Sequence, residues 1–174
     1  MAEPTTPLPT EEAPADDERT TLLAFLDYQR AVLARKVEGL TDEQARSPAC
    51  PPSDLTLLGL IRHMADVERS WFRRKLAGED VPPCFRTTED LDAAFNGAVP
   101  DPAIVTEAWD AWRGEVAFAE QFVAEAPDLD VSGPDPWRGA ISLRWVLVHM
   151  IEEYARHLGH ADLLRQKIDG RVGQ

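Results

Sequence analysis

The sequence has little cysteine, and this limits the kinds of site that it can build. Only two of its 174 residues are cysteines. Cys50 and Cys84 each stand beside a proline and share no C-x-x-C spacing. Disulfide frameworks and cysteine-rich zinc sites need paired cysteines, so neither is expected. We interpret both residues as small, partly buried apolar side chains that a cytosolic setting keeps reduced.

Positive charge is also scarce. The chain carries 18 lysines and arginines against 31 aspartates and glutamates, which gives a formal net charge of -13. Binding to nucleic acid draws much of its affinity from cationic side chains on the phosphate backbone. The charge balance therefore argues against a nucleic-acid partner, and against an anionic membrane surface for the same reason.

Long apolar runs and several catalytic motifs are absent as well. No apolar run approaches the roughly 18 residues expected of a membrane span, and the first residues show no basic region followed by an apolar core. We therefore expect a cytoplasmic protein. The sequence contains no G-x-S-x-G nucleophile elbow, no G-x-x-x-x-G-K phosphate loop and no dinucleotide fingerprint, so it gives no support to the chemistries that depend on them.

The chain begins with an acidic, proline-rich stretch. Residues 1 to 18 contain four prolines, six acidic residues and no basic residue. Such a stretch buries too little apolar surface to offset the entropy that is lost on ordering. We expect 1–17 to be a flexible tail and 18–174 to form a single domain, because that length suits one hydrophobic core.

The rest of the sequence has the apolar periodicity of helices. It predicts long helices at about 18–39, 55–77, 102–126 and 142–170. Thr41 begins a capping-box pattern for a short helix, Asp101 and Ser142 suit the N-caps of the third and fourth long helices, and Gly170 suits the end of the fourth. No stretch alternates apolar and polar residues convincingly enough for a strand. We therefore predict an all-α fold, a four-helix bundle.

The fourth predicted helix carries most of the residues with candidate chemistry. His149, Glu153, His157 and His160 fall within an arc of roughly 80° when an α-helix turns roughly 100° per residue. Glu153 and His157 lie nearest the apolar side of this helix, while His149 and His160 lie further out. The remaining histidine of the sequence, His63, lies at the edge of the apolar side of the second helix.

An inward-facing carboxylate and imidazole point to a metal ion. An unpaired buried charge loses several kcal/mol of hydration, and a divalent metal would satisfy both Glu153 and His157. Bundle cores commonly hold metal sites built from facing helices, so His63 could approach this pair. The spacing alone also fits a surface pair of Glu153 and His157 beside solvated histidines. Gly59, one turn before His63, fits either close helix packing or room above a metal.

Two segments carry a resemblance to a known family: LLGLIRHMADVER at 57–69 and SLRWVLVHMIEEYARHLGHADLLR at 142–165. They resemble the DinB-like superfamily, in an actinobacterial branch, over about residues 18–173. The resemblance implies a four-helix bundle with an up-down-down-up course, in which the 78–100 connection is the long crossover between the second and third helices.

The resemblance also implies a divalent metal held by His63, Glu153 and His157. Many relatives have a third histidine in place of Glu153, whereas the more distantly similar mycothiol-dependent maleylpyruvate isomerases have the His, Glu, His set. Many relatives also have an arginine where this chain has Leu158, so no role is carried over from that arginine. Two histidines and a carboxylate suit zinc first, with nickel or iron(II) as alternatives.

The leading hypothesis for function is a metal-dependent enzyme that uses or transfers a low-molecular-weight thiol. Characterised members of the superfamily resemble thiol transferases or thiol-dependent isomerases, so mycothiol is the expected co-substrate and a small electrophile is the expected partner. One alternative is a metal-dependent hydrolase. The other is a non-catalytic, stress-related metal-binding bundle that acts through a partner or a homodimer face.

Several further residues are weaker candidates. His149 and His160 flank the proposed ligands and are candidates for hydrogen bonding to them, for proton transfer or for substrate contact, with a solvated or structural histidine as the alternative. Tyr154, Asp66 and Glu152 fit packing or surface positions better than catalysis.

Overall fold

The computed structural model describes residues 17–173, and these are mostly helical. The described residues form six α-helices, one π-helix and a two-stranded sheet: α1 (Glu18–Val37), α2 (Asp42–Ala45), α3 (Leu57–Glu68), the π-helix (Arg69–Leu76), α4 (Ala93–Asn96), α5 (Pro102–Glu125), β1 (Ser132–Asp135), β2 (Gly139–Ser142) and α6 (Leu143–Asp169). The tail predicted for 1–17 lies, except for its last residue, outside the described residues. No helix between residues 17 and 173 is long and apolar enough to cross a membrane.

Helix ends follow the local capping chemistry that the sequence predicted. Ser142 accepts a hydrogen bond from the Trp145 N–H at the start of α6, and Gly170 ends that helix with a φ of 80°. Asp101 caps α5, which begins at a proline, and Thr41 opens α2 with a capping box. The three polar side chains and the Gly170 backbone N–H satisfy backbone groups that the first and last helical turns leave unpaired. The four predicted caps are therefore confirmed, whereas the first helix ends at Val37 and the second begins at Leu57, each two residues inside the predicted bound.

The long helices pack around one apolar core. α1 packs along α6, and α3 packs against α5 and α4. α3 also contacts α1 and α6, so the two helices with the predicted metal ligands are neighbours. The core includes fully buried leucines and methionines from α1, α3 and α6. Burial of these apolar faces is the main force that holds the helices together.

A buried polar network links the four long helices. The Arg30 guanidinium of α1 donates to both carboxylate oxygens of Glu68 of α3, at 2.9 and 2.8 Å. The Tyr154 hydroxyl of α6 donates to Glu68 at 2.7 Å and accepts a hydrogen bond from the Trp112 indole of α5 at 2.9 Å. Because Tyr154 follows Glu153 directly, this network fixes the position of the candidate site on α6 relative to α3.

A small antiparallel hairpin departs from the sequence prediction, which was wrong in expecting no strand. β1 and β2 pair with Gly133 opposite Ile141. The hairpin packs on the π-helix so closely that a Cβ at Gly133 would lie 1.9 Å from the Lys75 carbonyl oxygen. Only glycine fits this approach.

The second predicted helix is not a single α-helix. It is α-helical to Glu68 and continues as a π-helix through Leu76. The connection after it, predicted without secondary structure, contains the one-turn helix α4. π-helical turns are rare and often lie at functional sites. Here the π-helix follows directly on the helix that carries His63.

Candidate functional site

Three of the predicted site residues meet where α3 faces α6. His63 Nε2 lies 3.5 Å from Glu153 Oε1, and His157 Nε2 lies 3.2 Å from the same oxygen. One ligand atom of each residue lies within 4.8 Å of the others. Glu153 and His157 share a face because they are four residues apart in α6, and packing of α3 on α6 supplies His63. We call these three residues the HEH cluster.

The donor atoms of the HEH cluster suit a divalent metal. His63 Nε2 is buried and has no hydrogen-bond partner among the described residues, and the same holds for His157 Nδ1. A buried nitrogen without a partner costs about 1–3 kcal/mol, which a bound cation at Nε2 would remove. Two imidazoles and one carboxylate are a common donor set for zinc and also suit nickel or iron(II).

The electrostatic environment keeps Glu153 ionised. The hydrogen bond from His157, with a second contribution from His63, holds the pKa of the Glu153 carboxyl well below its usual range. Partial burial acts in the opposite direction but is outweighed. The site therefore presents a carboxylate, the form that binds a cation, at neutral pH.

The His63 ring is held by neighbouring rings. Phe95 of α4 stacks on it at a centroid distance of 5.2 Å, and His157 meets its edge at 4.7 Å. A Cβ at Gly59 would lie 2.9 Å from the Phe95 ring, so the absence of a side chain there lets α4 approach α3. The close-packing interpretation of Gly59 therefore accounts for this glycine.

His149 lies outside the HEH cluster. Its ring stacks on Trp145 at 5.0 Å and meets the edge of Trp71 at 4.6 Å. Its Nδ1 lies 3.3 Å from Glu152, and these two residues form a second group of ligand atoms together with Glu153. The structure thus places His149 between an aromatic cluster and the outer edge of the candidate site.

His160 lies on the other side of the cluster. Its ring contacts the His157 ring edge-on at 5.4 Å, and its Nδ1 is buried without a hydrogen-bond partner among the described residues. Burial lowers the pKa of His160, and the charges of His157 and Arg156 add to this effect. His160 thus contacts the ring of a proposed ligand without belonging to the HEH cluster.

A cavity of about 250 Å³ opens beside His63. α3 and the π-helix form its inner wall, and the connection that contains α4 forms its outer wall. The cavity is lined by His63, Asp66, Val67, Ser70, Trp71, Arg74, Pro83, Arg86, Leu91, Asp92, Ala94 and Phe95. It is large enough for a small organic molecule.

Asp66, a weak candidate from the sequence, anchors the outer wall of this cavity. Its carboxylate accepts hydrogen bonds from the backbone N–H groups of Cys84, Phe85 and Arg86, at 2.5, 3.2 and 2.9 Å. Burial raises the pKa of the Cys84 thiol to about 12, in keeping with the inert role expected for that cysteine. Asp66 therefore has a structural role at the cavity.

Arg62 provides a second anchor that the sequence analysis missed. Its guanidinium lies 3.9 Å from the centre of the Phe85 ring and donates to the Ala94 carbonyl oxygen at 2.9 Å. The sequence could have indicated this buried contact, because Arg62 is a charged residue within an otherwise apolar run. Together, Arg62 and Asp66 attach the outer wall to α3.

The buried network was missed for a similar reason. Arg30 and Glu68 occupy positions within the apolar stripes of the first two predicted helices, Arg30 four residues after Leu26 and Glu68 four residues after Met64. Charged residues of opposite sign in two apolar stripes could have been paired as a buried contact. Tyr154 was named in the sequence analysis, and its role proves to be structural.

A family model described as mycothiol-S-transferase matches residues 21–170. The chain belongs to this family. The matched range contains every residue of the HEH cluster, the cavity and the buried network. Membership confirms the DinB-like resemblance and indicates S-transferase activity related to mycothiol.

A solved structure adds evidence on the fold alone. The crystal structure of a conserved protein from Enterococcus faecalis is similar over 90% of this mycothiol S-transferase family chain and 100% of its own chain, with a TM-score of 0.60 and 19% identity. No curated protein shows significant similarity to the chain.

Proposed function

We propose that this member of the mycothiol S-transferase family transfers a low-molecular-weight thiol, such as mycothiol, to a small electrophile in the cytoplasm. A divalent metal, zinc before nickel or iron(II), bound by His63, Glu153 and His157 is part of the proposal. The observation that carries it is the convergence of these three donors beside a cavity of small-molecule size. The up-down-down-up course of a four-helix bundle, expected from the resemblance, belongs to the same proposal.

The chemistry divides between the metal and the protein. When bound, the metal supplies a Lewis acid that favours the thiolate form of a thiol. His63 and Glu153 hold the ligand positions from two different helices, and Phe95 fixes the ring plane of His63. His160 packs on the ring of His157, and we assign it the role of positioning that ligand. His149 packs against Trp71, a wall residue of the cavity, and is assigned a role in shaping the substrate side.

The transfer step balances without an oxidant or a reductant. The thiol sulfur forms a bond to the electrophilic carbon, and the leaving group departs with the electron pair of its former bond. The thiol proton passes to solvent through the open side of the cavity. The protein's contribution is to hold the two reactants next to each other, which removes much of the entropic barrier to reaction.

The first experiment is elemental analysis of untagged protein purified without added metal or chelator. We expect near-stoichiometric metal in the wild type, its loss in His63→Ala and His157→Ala, and strong weakening in Glu153→Ala. His160→Ala is the matched control and should retain most of the metal, because His160 contacts a ligand without joining the HEH cluster. If His160→Ala lost the most metal of the four, the ligand assignment would be wrong.

A thiol-transfer assay then tests the activity. Turnover of an electrophile should require both the metal and the thiol. Metal-dependent turnover without any thiol would favour the hydrolase alternative. Metal binding with no affinity for any thiol would favour the non-catalytic bundle.

A further inference from the structure

The cavity beside His63 offers guanidinium groups to a ligand. Arg74 and Arg86 both line it, one from the π-helix and one from the outer wall. Both side chains are exposed, and neither guanidinium forms an ion pair or hydrogen bond with another described residue, although the Arg86 backbone N–H does. This inference rests on the proposed function, because the cavity lies beside the proposed metal centre.

Arg74 differs from the other cationic residues of the π-helix, which all bind carboxylates. Arg69 and Arg73 of the π-helix donate to the buried carboxylate of Glu115, at 2.8 and 2.9 Å. Lys75 donates to a buried aspartate of β1 at 2.8 Å. Each of the other cations of the π-helix therefore has a carboxylate partner, which Arg69 and Arg73 share. Arg74 has none, and it is the one that lines the cavity.

Arg86 is placed at the cavity by its own backbone. Its N–H donates to Asp66 Oδ2 at 2.9 Å, while the N–H groups of residues 84 and 85 occupy Oδ1. Both carboxylate oxygens of Asp66 thus accept hydrogen bonds from the backbone of the outer wall. The other carboxylate at the cavity is that of Asp92. The lining therefore has two guanidinium groups and two carboxylates, and the oxygens of one of these carboxylates are already occupied.

These two unpaired guanidinium groups contrast with the molecule as a whole. A formal net charge of -13 repels anions at long range. At short range, guanidinium groups that have no protein carboxylate can form charge-assisted hydrogen bonds with an anion. An anionic ligand would therefore find a favourable site here in spite of the charge of the protein.

The same cavity has an apolar part. Phe95, which stacks on His63, and Trp71 both line it, and Leu91 at the wall is 67% exposed. A large apolar side chain at the edge of a cavity gains contact when an apolar ligand covers it. The lining therefore suits a molecule with a flat apolar body and one anionic group.

We propose that the cavity selects electrophiles that carry a carboxylate on an aromatic or other apolar body. Arg74 and Arg86 bind the carboxylate, since guanidinium groups match its planar geometry with charge-assisted hydrogen bonds. Trp71 and Phe95 contact the apolar body, which leaves the electrophilic carbon on the side of His63. Asp92 opposes binding of the anion.

Equilibrium binding tests the inference apart from turnover. The probes are 4-chloro-3-nitrobenzoate and its neutral amide, measured by calorimetry on the full chain as purified and after chelation, because a carboxylate bound only to metal would lose its affinity on chelation. The benzoate should bind more tightly than the amide in both preparations. Arg74→Gln and Arg86→Gln should each weaken benzoate binding by about threefold to tenfold and leave amide binding unchanged.

Two further variants sharpen the test. Asp92→Asn should strengthen benzoate binding, because it removes the opposing charge. Arg113→Gln removes the same charge from α5, away from the cavity, and should change neither affinity. Equal binding of the two probes, or an equal loss in Arg113→Gln, would overturn the inference.

Kinetics separate this inference from the proposed function. In thiol transfer to the benzoate, a C–S bond forms and chloride leaves with the electron pair of the C–Cl bond. The two arginine variants should raise KM for the benzoate and leave kcat nearly unchanged, since they bind the substrate away from the reacting carbon. Charge-selective binding without thiol transfer would overturn the proposed function alone. Thiol transfer without charge selection would overturn this inference alone.

Discussion

The Tyr154 hydroxyl shows how a single residue fixes the candidate site. It donates to Glu68 and accepts from Trp112, and it is fully buried. Burial, reinforced by the nearby charge of Glu68, raises the pKa of Tyr154 well above its usual value, so the phenol stays neutral and keeps its proton for that hydrogen bond. Any rotation of α6 that displaced Glu153 would break this bond.

Tyr154→Phe should lower stability by about 1–3 kcal/mol, because it leaves the buried Trp112 N–H unpaired and removes one donor from Glu68. Equilibrium unfolding in urea measures the change. A double-mutant cycle with Trp112→Phe provides the control, and the two losses should be less than additive because both substitutions break the same bond. A loss below about 0.5 kcal/mol would mean that relaxation or water satisfies the network.

At the scale of residues, the sequence predicted which side chains of the same helix lie next to each other. Glu153 and His157 share a face of α6 by their spacing alone, and the packing of helices in a bundle made His63 a natural third member. Contacts between side chains of different helices were harder to predict. The pairing of Arg30 with Glu68 depends on how α1 lies against α3, which periodicity does not specify.

At the scale of elements, helix ends were predictable because capping depends on one or two adjacent residues. The hairpin was not, since each of its strands has four residues and β1 includes a glycine and a proline. The π-helix could not be predicted either, because the apolar spacing of its widened turns resembles that of an α-helix. Packing against other elements decides both features.

Docking of the hairpin on the π-helix depends on Asp135. This side chain is inaccessible to solvent and accepts hydrogen bonds from Lys75 and from the N–H groups of Trp137 and Arg138, which together lower the pKa of Asp135 to about 2. The folded value lies below the unfolded value of about 3.9. The stabilisation is therefore fully present above about pH 3.9 and is lost as the pH falls through about 2.

Asp135→Asn should therefore be less stable than the wild type at neutral pH, and the difference should shrink between about pH 4 and pH 2. Urea midpoints measured at several pH values check this. Asp110→Asn, on the exposed side of α5, is the matched control and should leave the midpoint almost unchanged. A difference between Asp135→Asn and the wild type that stayed constant down to pH 2 would contradict the assigned ion pair with Lys75.

At the scale of the molecule, a metal in the HEH cluster would join α3 to α6 and should stabilise the whole fold. A metal present at 100 times its Kd adds about 2.7 kcal/mol to the free energy of unfolding. Chelation should lower the Tm measured by calorimetry, and added zinc should restore it. The Tm of His157→Ala should respond to neither treatment. An equal response in wild type and variant would place the stabilising metal elsewhere.

Similarity to a crystal structure at 19% identity shows that this architecture tolerates extensive change of sequence. The mostly helical class could be predicted because apolar periodicity persists in each long helix. The relative placement of the helices came from the resemblance and not from the residues, since periodicity identifies which face is buried but not which helix covers it.

The way in which the outer wall of the cavity is attached to α3 leaves the side chains of the wall free to vary. Asp66 binds the backbone N–H groups of residues 84–86, not their side chains. Substitution of Arg86 therefore leaves that attachment intact, and Leu91 is mostly exposed. Side chains at these wall positions can diversify at little cost in stability while α3 and the HEH cluster stay unchanged. Under the proposed function, libraries that vary positions 86, 91 and 92 would therefore test which substrates the cavity accepts.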